Sequence, residues 1–301
     1  MREVCVIGGS RYFGRRLIVR LRDAGVRVTV VNRGSSPAPE GVTHLAADRD
    51  DERALAAALG DRRFDAVIDQ VCYNPVQAAA AARVFKGRTE RYVMTSTIEV
   101  YQPLHADAPL PETAVDPAGL PVDLELPWYD AGFAEAHYGE GKRQAEAVFT
   151  REAAFPFAAV RTAHVLGGGA EDFTGRLAHY VERIRTGAPV AVHAGPRPSS
   201  FTEYEEIAGF LQWAAGAGFT GAVNACAHGE FDVTLLCELI AERVGRPPVY
   251  TPPTAGEAPS PFSFGHYYGM DNSRAEQLGY SFSRTADWLP AVVTDAVTRT
   301  S

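Results

Sequence analysis

The stretch VCVIGGSRYFGRRLIVRL, Val4 to Leu21, constrains the fold more than any other. An apolar run of strand character breaks at paired glycines and resumes as an amphipathic pattern with apolar residues at helical spacing. The rest of the chain repeats that unit. The β-branched or apolar runs EVCVI, VRVTVV, VTHLAA, FDAVID, RYVMTS, FAAVR and GAVNAC alternate with helical patterns such as DERALAAALG, VQAAAAARVFKG and YGEGKRQAEAVFTREA. Strand and helix in repetition predict an α/β, Rossmann-type doubly wound parallel sheet with helices on both faces.

Two segments break the rhythm. Gln102 to Gly132 is rich in proline and acidic residues, and its length predicts a lid over a site; a surface loop without function is the alternative. Thr251 to Gly269 is a second loop-rich stretch, which predicts a smaller C-terminal lobe over the carboxyl edge of the sheet, where open α/β sheets bind ligands. The expected division is a dinucleotide-binding domain of residues 1–165, completed by 200–227, and a substrate-binding lobe of residues 166–199 and 228–301.

Composition narrows the classes. A net charge of −8 argues against a surface built on nucleic-acid phosphates. Cys5, Cys72, Cys226 and Cys237 lie scattered in apolar runs without a CxxC pair, so they read as buried thiols in a reducing compartment, and no metal site is expected. The chain opens on a strand pattern and not on a leader, and no apolar run approaches the ~20 residues of a membrane helix. The expectation is a cytoplasmic protein without a membrane partner.

In VIGGSRYFG, glycines follow the first strand and open the first helix, where free amides and the helix dipole favour a pyrophosphate. Gly8, Gly9, Ser10, Arg11, Tyr12, Phe13 and Gly14 are the candidate turn. The second strand ends in VVNRGSS, with Asn32 and Arg33 where a carboxylate would grip the ribose 2′-hydroxyl of NAD. Arg33 and Arg11 together would clasp a 2′-phosphate, so NADP(H) is favoured and NAD(H) is the alternative. The plainer reading leaves both arginines solvated and Asn32 alone on the ribose. Asp48 either accepts from the adenine amino group or caps the helix that starts near Asp51.

Tyr138 and Lys142 stand four apart on a predicted helix and therefore share a face. An ammonium beside a phenol stabilises phenolate and brings its pKa toward the working range. Thr95, Ser96 and Thr97 end the fifth strand at the carboxyl edge, where a hydroxyl can polarise a substrate oxygen.

The glycine turn, TSTIEVY, YGEGK and AVRTAHVLGGG, in this order over nearly the whole chain, resemble the extended and atypical short-chain dehydrogenase/reductases, the epimerase/dehydratase branch. GGSRYFG, NRG and AADRD resemble its atypical members, which makes Arg11 a subfamily trait. The resemblance implies Tyr138 as acid/base, Lys142 on the nicotinamide ribose, and Thr97 on the reacting oxygen. It implies Glu99 as a base beside a carbonyl, whereas Ile98 stands where dehydratases carry an acid; a solvated or arginine-paired Glu99 is the alternative. His164 replaces the asparagine of sugar-nucleotide enzymes, and either binds a substrate phosphate or carboxylate or is a buried histidine. Arg197 corresponds to an arginine on a substrate diphosphate, and Tyr267, with His266 and Tyr268, either lines the substrate pocket or packs as an aromatic corner. Cys72 and Tyr73 fall near the nicotinamide by topology, with Cys72 read as core.

The resulting expectation is a nicotinamide-dependent oxidoreductase acting on a secondary alcohol or ketone of a polyhydroxylated small molecule, with epimerisation through a keto intermediate or net reduction as variants. A dinucleotide sensor or RNA-binding relative is the reading from another class, opposed by Thr97, Tyr138 and Lys142. By resemblance, VQAAAAARVF and YGEGKRQAEAVF would form a homodimer interface.

Overall fold

The computed structural model describes residues 1–254, 256 and 258–299; Ala255 and Glu257 of the second loop-rich stretch and Thr300 and Ser301 at the end of the expected lobe lie outside the described residues. The strands are β1 (Glu3–Ile7), β2 (Arg27–Asn32), β3 (Thr43–Ala46), β4 (Ala66–Asp69), β5 (Tyr92–Thr97), β6 (Phe157–Thr162), β7 (His164–Leu166), β8 (Pro189–Ala191), β9 (Phe201–Glu203), β10 (Gly221–Ala225) and β11 (Val249–Thr251). The helices are α1 (Tyr12–Asp23), α2 (Glu52–Leu59), α3 (Pro75–Phe85), α4 (Ala131–Ala136), α5 (Tyr138–Glu152), α6 (Arg176–Thr186), α7 (Tyr204–Gly216), α8 (Val233–Val244), α9 (Ser273–Gln277) and α10 (Thr285–Arg299).

Seven strands form one parallel sheet in the order β10-β6-β5-β4-β1-β2-β3. β1 lies inside the sheet between β4 and β2, and Val4, Cys5, Val6 and Ile7 are all buried, as a strand covered on both faces requires. One face packs against α1 and α7 through Leu17, Ile18, Ile207 and Phe210; the other packs against α2, α3 and α5 through Leu55, Phe85, Val148 and Phe149. A further core joins α6, α8 and α10 through Val181, Ile184, Leu236, Ile240 and Val293, beside the parallel pair β8 and β11. β7 and β9 pair next to it and lead the chain between the two cores. The four cysteines are buried free thiols. None of the described helices is long and apolar enough to cross a membrane.

Residues 102–132 form a pinned strap and not a swinging lid. Arg161 donates to Glu112 O (2.8 Å) and Val115 O (3.0 Å), Asn224 N donates to Glu112 Oε1 (2.7 Å), and Asp123 N donates to Gln144 Oε1 (2.8 Å). Buried donors of the sheet are thus satisfied by the strap, which makes its release costly. The strap also lies over α5. Arg151 donates to Ala118 O, Trp128 lies against Gly141, and α5 is buried at every position from Gly141 to Phe149 except Arg143. Part of the α5 surface is therefore covered by the same chain.

Candidate functional site

A cleft of about 860 Å³ opens at the carboxyl edge of the parallel sheet and reaches from the glycine turn to the start of α6. The turn follows β1. Gly8 is left-handed (φ 75°), and a Cβ there would stand 2.6 Å from Val71; a Cβ on Gly14 would stand 2.5 Å from Gly9 Cα. Only glycine allows this close passage of strand, turn and helix. Arg11 caps α1 without a side-chain hydrogen bond, so the first-turn amides face the cleft. Ser10, Arg11, Tyr12 and Phe13 also line it. Tyr12 does so as a buried support, with its hydroxyl donated to Val165 O at 3.3 Å.

Arg11 places its guanidinium 4.2 Å above the ring of Phe173, a residue before α6 that is 60% exposed. The stack links the glycine turn to the segment before α6 across the cleft. Asn32 is engaged at both ends: it donates to Ser10 Oγ (2.6 Å) and Ser36 O (3.3 Å), and its Oδ1 accepts from Gly34 N (2.7 Å). Arg33 is exposed and lines the cleft with Ser35 and Ser36, two hydroxyls that sequence reading passed over although they follow directly in VVNRGSS. Asp48 accepts from Asp50 N (3.0 Å) and faces the cleft, while the cap of α2 is Asp51, on Ala54 N at 2.9 Å. Arg49, also overlooked, runs inward to Asp69 (2.9 Å) and Val71 O (3.0 Å) and braces the floor.

At the other end stand Tyr138, Lys142, Thr97 and Glu99. Lys142 is 1% exposed and donates to Thr95 O at 2.7 Å. Burial lowers its pKa from 10.5 to about 8. The chain holds two lysines against 27 arginines, a contrast that was open to sequence reading. Only lysine can be tuned this way, since a guanidinium stays charged. The Tyr138 ring is 36% exposed, opening on the cleft, and the phenol is pushed up first by desolvation and then by neighbouring Tyr73, with Thr97 within hydrogen-bonding reach opposing the shift. Glu99 accepts from the Tyr268 hydroxyl at 2.8 Å, and desolvation raises its pKa. Its hydrogen-bond partner is thus a phenol, and the charge of Arg176 opposes the upward shift.

His164 lines the cleft, 7% exposed, stacked at 5.1 Å on Phe264 with Nε2 unpartnered, and burial lowers its pKa to about 3, which keeps it neutral. Arg176, at the first turn of α6, faces the same end of the cleft over Phe262 at 5.1 Å; nothing in the local sequence marked it. Arg197 and Tyr267 are not brought in. Arg197 is 51% exposed and 3.9 Å from Asp107, and Tyr267 donates to Glu230 at 2.6 Å, neither lining the cleft. Neighbouring side chains of an extended segment project oppositely, so it is Tyr268 that meets Glu99. No metal-binding group of three His, Cys, Asp or Glu occurs among the described residues.

The family description "NAD dependent epimerase/dehydratase family" matches residues 4–199. The chain belongs to that family. It is similar to 2′-dehydrokanamycin reductase of Streptomyces kanamyceticus, 31% identical over 138 residues, which cover 42% of this chain and 39% of the relative; the match thus spans about two fifths of that protein. Among solved structures, the UDP-glucose 4-epimerase of Thermotoga maritima with UDP-glucose superposes with a TM-score of 0.75 at 19% identity over 99% of this chain and 98% of that one. MoeE5 in complex with UDP-glucuronic acid and NAD gives 0.74 at 20% identity over 99% and 100%. WbmH of Bordetella bronchiseptica in complex with NAD+ gives 0.73 at 17% identity over 99% and 98%. At such identities the likeness is one of fold.

Proposed function

We propose that this family member transfers hydride between a nicotinamide dinucleotide and a secondary alcohol or ketone carbon of a polyhydroxylated, sugar-like substrate. The observation that carries this reading is the placement of Tyr138 and Lys142 in the same cleft as the glycine cradle, with Thr97 at the intervening strand end. The cradle fits a pyrophosphate, because its glycines leave the space that a Cβ would fill. A bound nicotinamide supplies or accepts the hydride. Tyr138 gives the substrate oxygen its proton during reduction and removes it during oxidation; Thr97 donates a hydrogen bond to that oxygen. Lys142, as an ammonium, holds the nicotinamide ribose, while Thr97 and Arg176 oppose the upward shift of the phenol. His164, neutral, and Arg176 are donors for substrate groups beside the reacting carbon.

Net reduction with NADPH is the favoured direction. The end of β2 carries no carboxylate against a 2′-phosphate, Asn32 is occupied, and Arg33, Ser35 and Ser36 remain as its donors. The reductase of Streptomyces kanamyceticus, matched over 39% of its length, agrees with that direction. Epimerisation through a keto intermediate is the second reading, favoured by Glu99, a desolvated carboxylate beside Tyr138. Titration with NADPH and NADH, repeated for Arg33→Ala, tests the cofactor reading: selective loss of NADPH affinity is expected, and NADH preference in the unmodified protein refutes it. Cofactor absorbance over turnover then separates net reduction, which consumes it, from epimerisation, which leaves it unchanged.

A further inference from the structure

The Lys142 ammonium carries three N–H donors, yet among the described residues it makes one hydrogen bond, to Thr95 O at 2.7 Å. A cation 1% exposed with two donors unmatched needs another source of stabilisation. The neighbour that supplies it is an aromatic face. Lys142 Nζ lies 4.8 Å from the ring centroid of Tyr73 and 5.7 Å from that of Tyr138, both within cation–π range. The two rings stand 6.2 Å apart, so Tyr73 approaches the ammonium and the phenol at once.

The backbone is built for this approach. A Cβ on Gly141 would stand 2.4 Å from Tyr73 O, so the glycine before Lys142 lets the loop after β4 press onto α5. Gln77 Oε1 accepts from Tyr73 N at 2.6 Å, and Gln77 N in turn donates to the α3 cap Asn74. Tyr73 itself is 43% exposed and lines the cleft beside Tyr138.

We propose that Tyr73 is a positioning residue, whose ring face holds the Lys142 ammonium charged and in place beside Tyr138. The catalytic importance of this hold rests on the oxidoreductase reading; the hold itself does not. The other groups facing Lys142 are Cys72 and Asp69 from β4 and its loop, Arg49 after β3, and Glu146 one turn along α5. Of these, Asp69 is already bound to Arg49 and Glu146 to Arg161, which leaves Thr95 O and the two ring faces, Tyr73 the nearer, as the unshared stabilisers.

The test uses the two lysines of the chain. Protein carrying 13C-labelled lysine has two Cε resonances to follow by NMR against pH, with exposed Lys86 as the internal control. Tyr73→Leu is expected to lower the Lys142 midpoint by about one pH unit, whereas Tyr73→Phe, which keeps the ring, leaves it in place. An unmoved midpoint in Tyr73→Leu, or equal shifts in both variants, overturns the proposal. The alkaline limb of kcat/KM is expected to move with the midpoint. A shifted midpoint with an unshifted rate profile upholds the hold of Tyr73 on Lys142 and overturns the catalytic role given to that lysine.

Discussion

Two buried cations on neighbouring elements show opposite treatment. Arg161, on β6 and fully buried, has all five N–H donors matched: to Glu146, to the Tyr101 hydroxyl (2.9 Å), to Glu112 O and to Val115 O. Lys142, on α5 four residues before Glu146, has one acceptor and two aromatic faces. Glu146 is further satisfied by Ser96 Oγ at 2.5 Å. Complete satisfaction marks scaffold, since it locks the strap, α5 and the sheet together. Lys142, left short of partners at the cleft, keeps N–H donors available to a ligand.

The comparison can be broken most sharply at Glu146. Glu146→Ala leaves Arg161 buried without its carboxylate and is expected to lower stability by roughly 3–5 kcal/mol, read from the urea midpoint. A loss under ~1 kcal/mol would remove the distinction between the two regions.

Next in size is Tyr138→Phe. It keeps the ring between Tyr73 and the cleft but removes the proton donor, so kcat is expected to fall roughly 10²–10⁴-fold with an unchanged melting temperature. Retained turnover on any substrate that the unmodified protein converts would exclude Tyr138 as the acid/base.

Lys142→Met sharpens the contrast from the other side. The folded pKa of Lys142, about 8, lies below its ordinary 10.5, so the unfolded chain holds more protons between those values. Stability of the unmodified protein therefore rises with pH through that window, and the lysine weakens the fold at pH 7. The variant is expected to be more stable there by up to ~3 kcal/mol, inactive, and without that pH slope. Lower stability at pH 7 would mean that the lysine is as well satisfied as Arg161.

Smallest is the bridge over the glycine turn. Phe173→Ala removes the aromatic face under Arg11 and is expected to weaken cofactor binding about two- to fivefold, as read by quenching titration. On hydrodynamics, sedimentation of the 301-residue chain is expected to report a monomer, because the strap already covers α5; assembly through α3 and α5 would require the strap to lift.

The inner strand runs and the glycine turn were legible because parallel strands buried on both faces are continuous apolar runs and because the turn tolerates only glycine at its contacts, while the exposed edge strand β3 was marked by its place in the strand–helix alternation. The i, i+4 spacing of Tyr138 and Lys142 gave their shared face directly. Arg176 was not legible, since a single arginine after a glycine has no distinguishing pattern until α6 turns it toward the cleft. The placement of Tyr267 away from the cleft was equally hidden, because extended backbone sends adjacent side chains to opposite sides and a one-residue difference decides the outcome; Arg197 is drawn instead toward Asp107.

What the sequence by itself determined is local: the strand–helix alternation, the cradle after β1, and the pairing of phenol and lysine along one helix turn, all set by periodicity and backbone sterics within a few residues. Which cation is saturated and which is not, whether the long proline-rich segment moves or is tied down, and which aromatic faces Lys142 were decided only in three dimensions. The reason is that hydrogen-bond partners and ring faces come from far along the chain, as when Asn224 meets Leu110 O across 114 residues and Lys142 meets Thr95 O across 47. No local pattern encodes such contacts; they exist only once the sheet has brought its edge, its helices and the strap together.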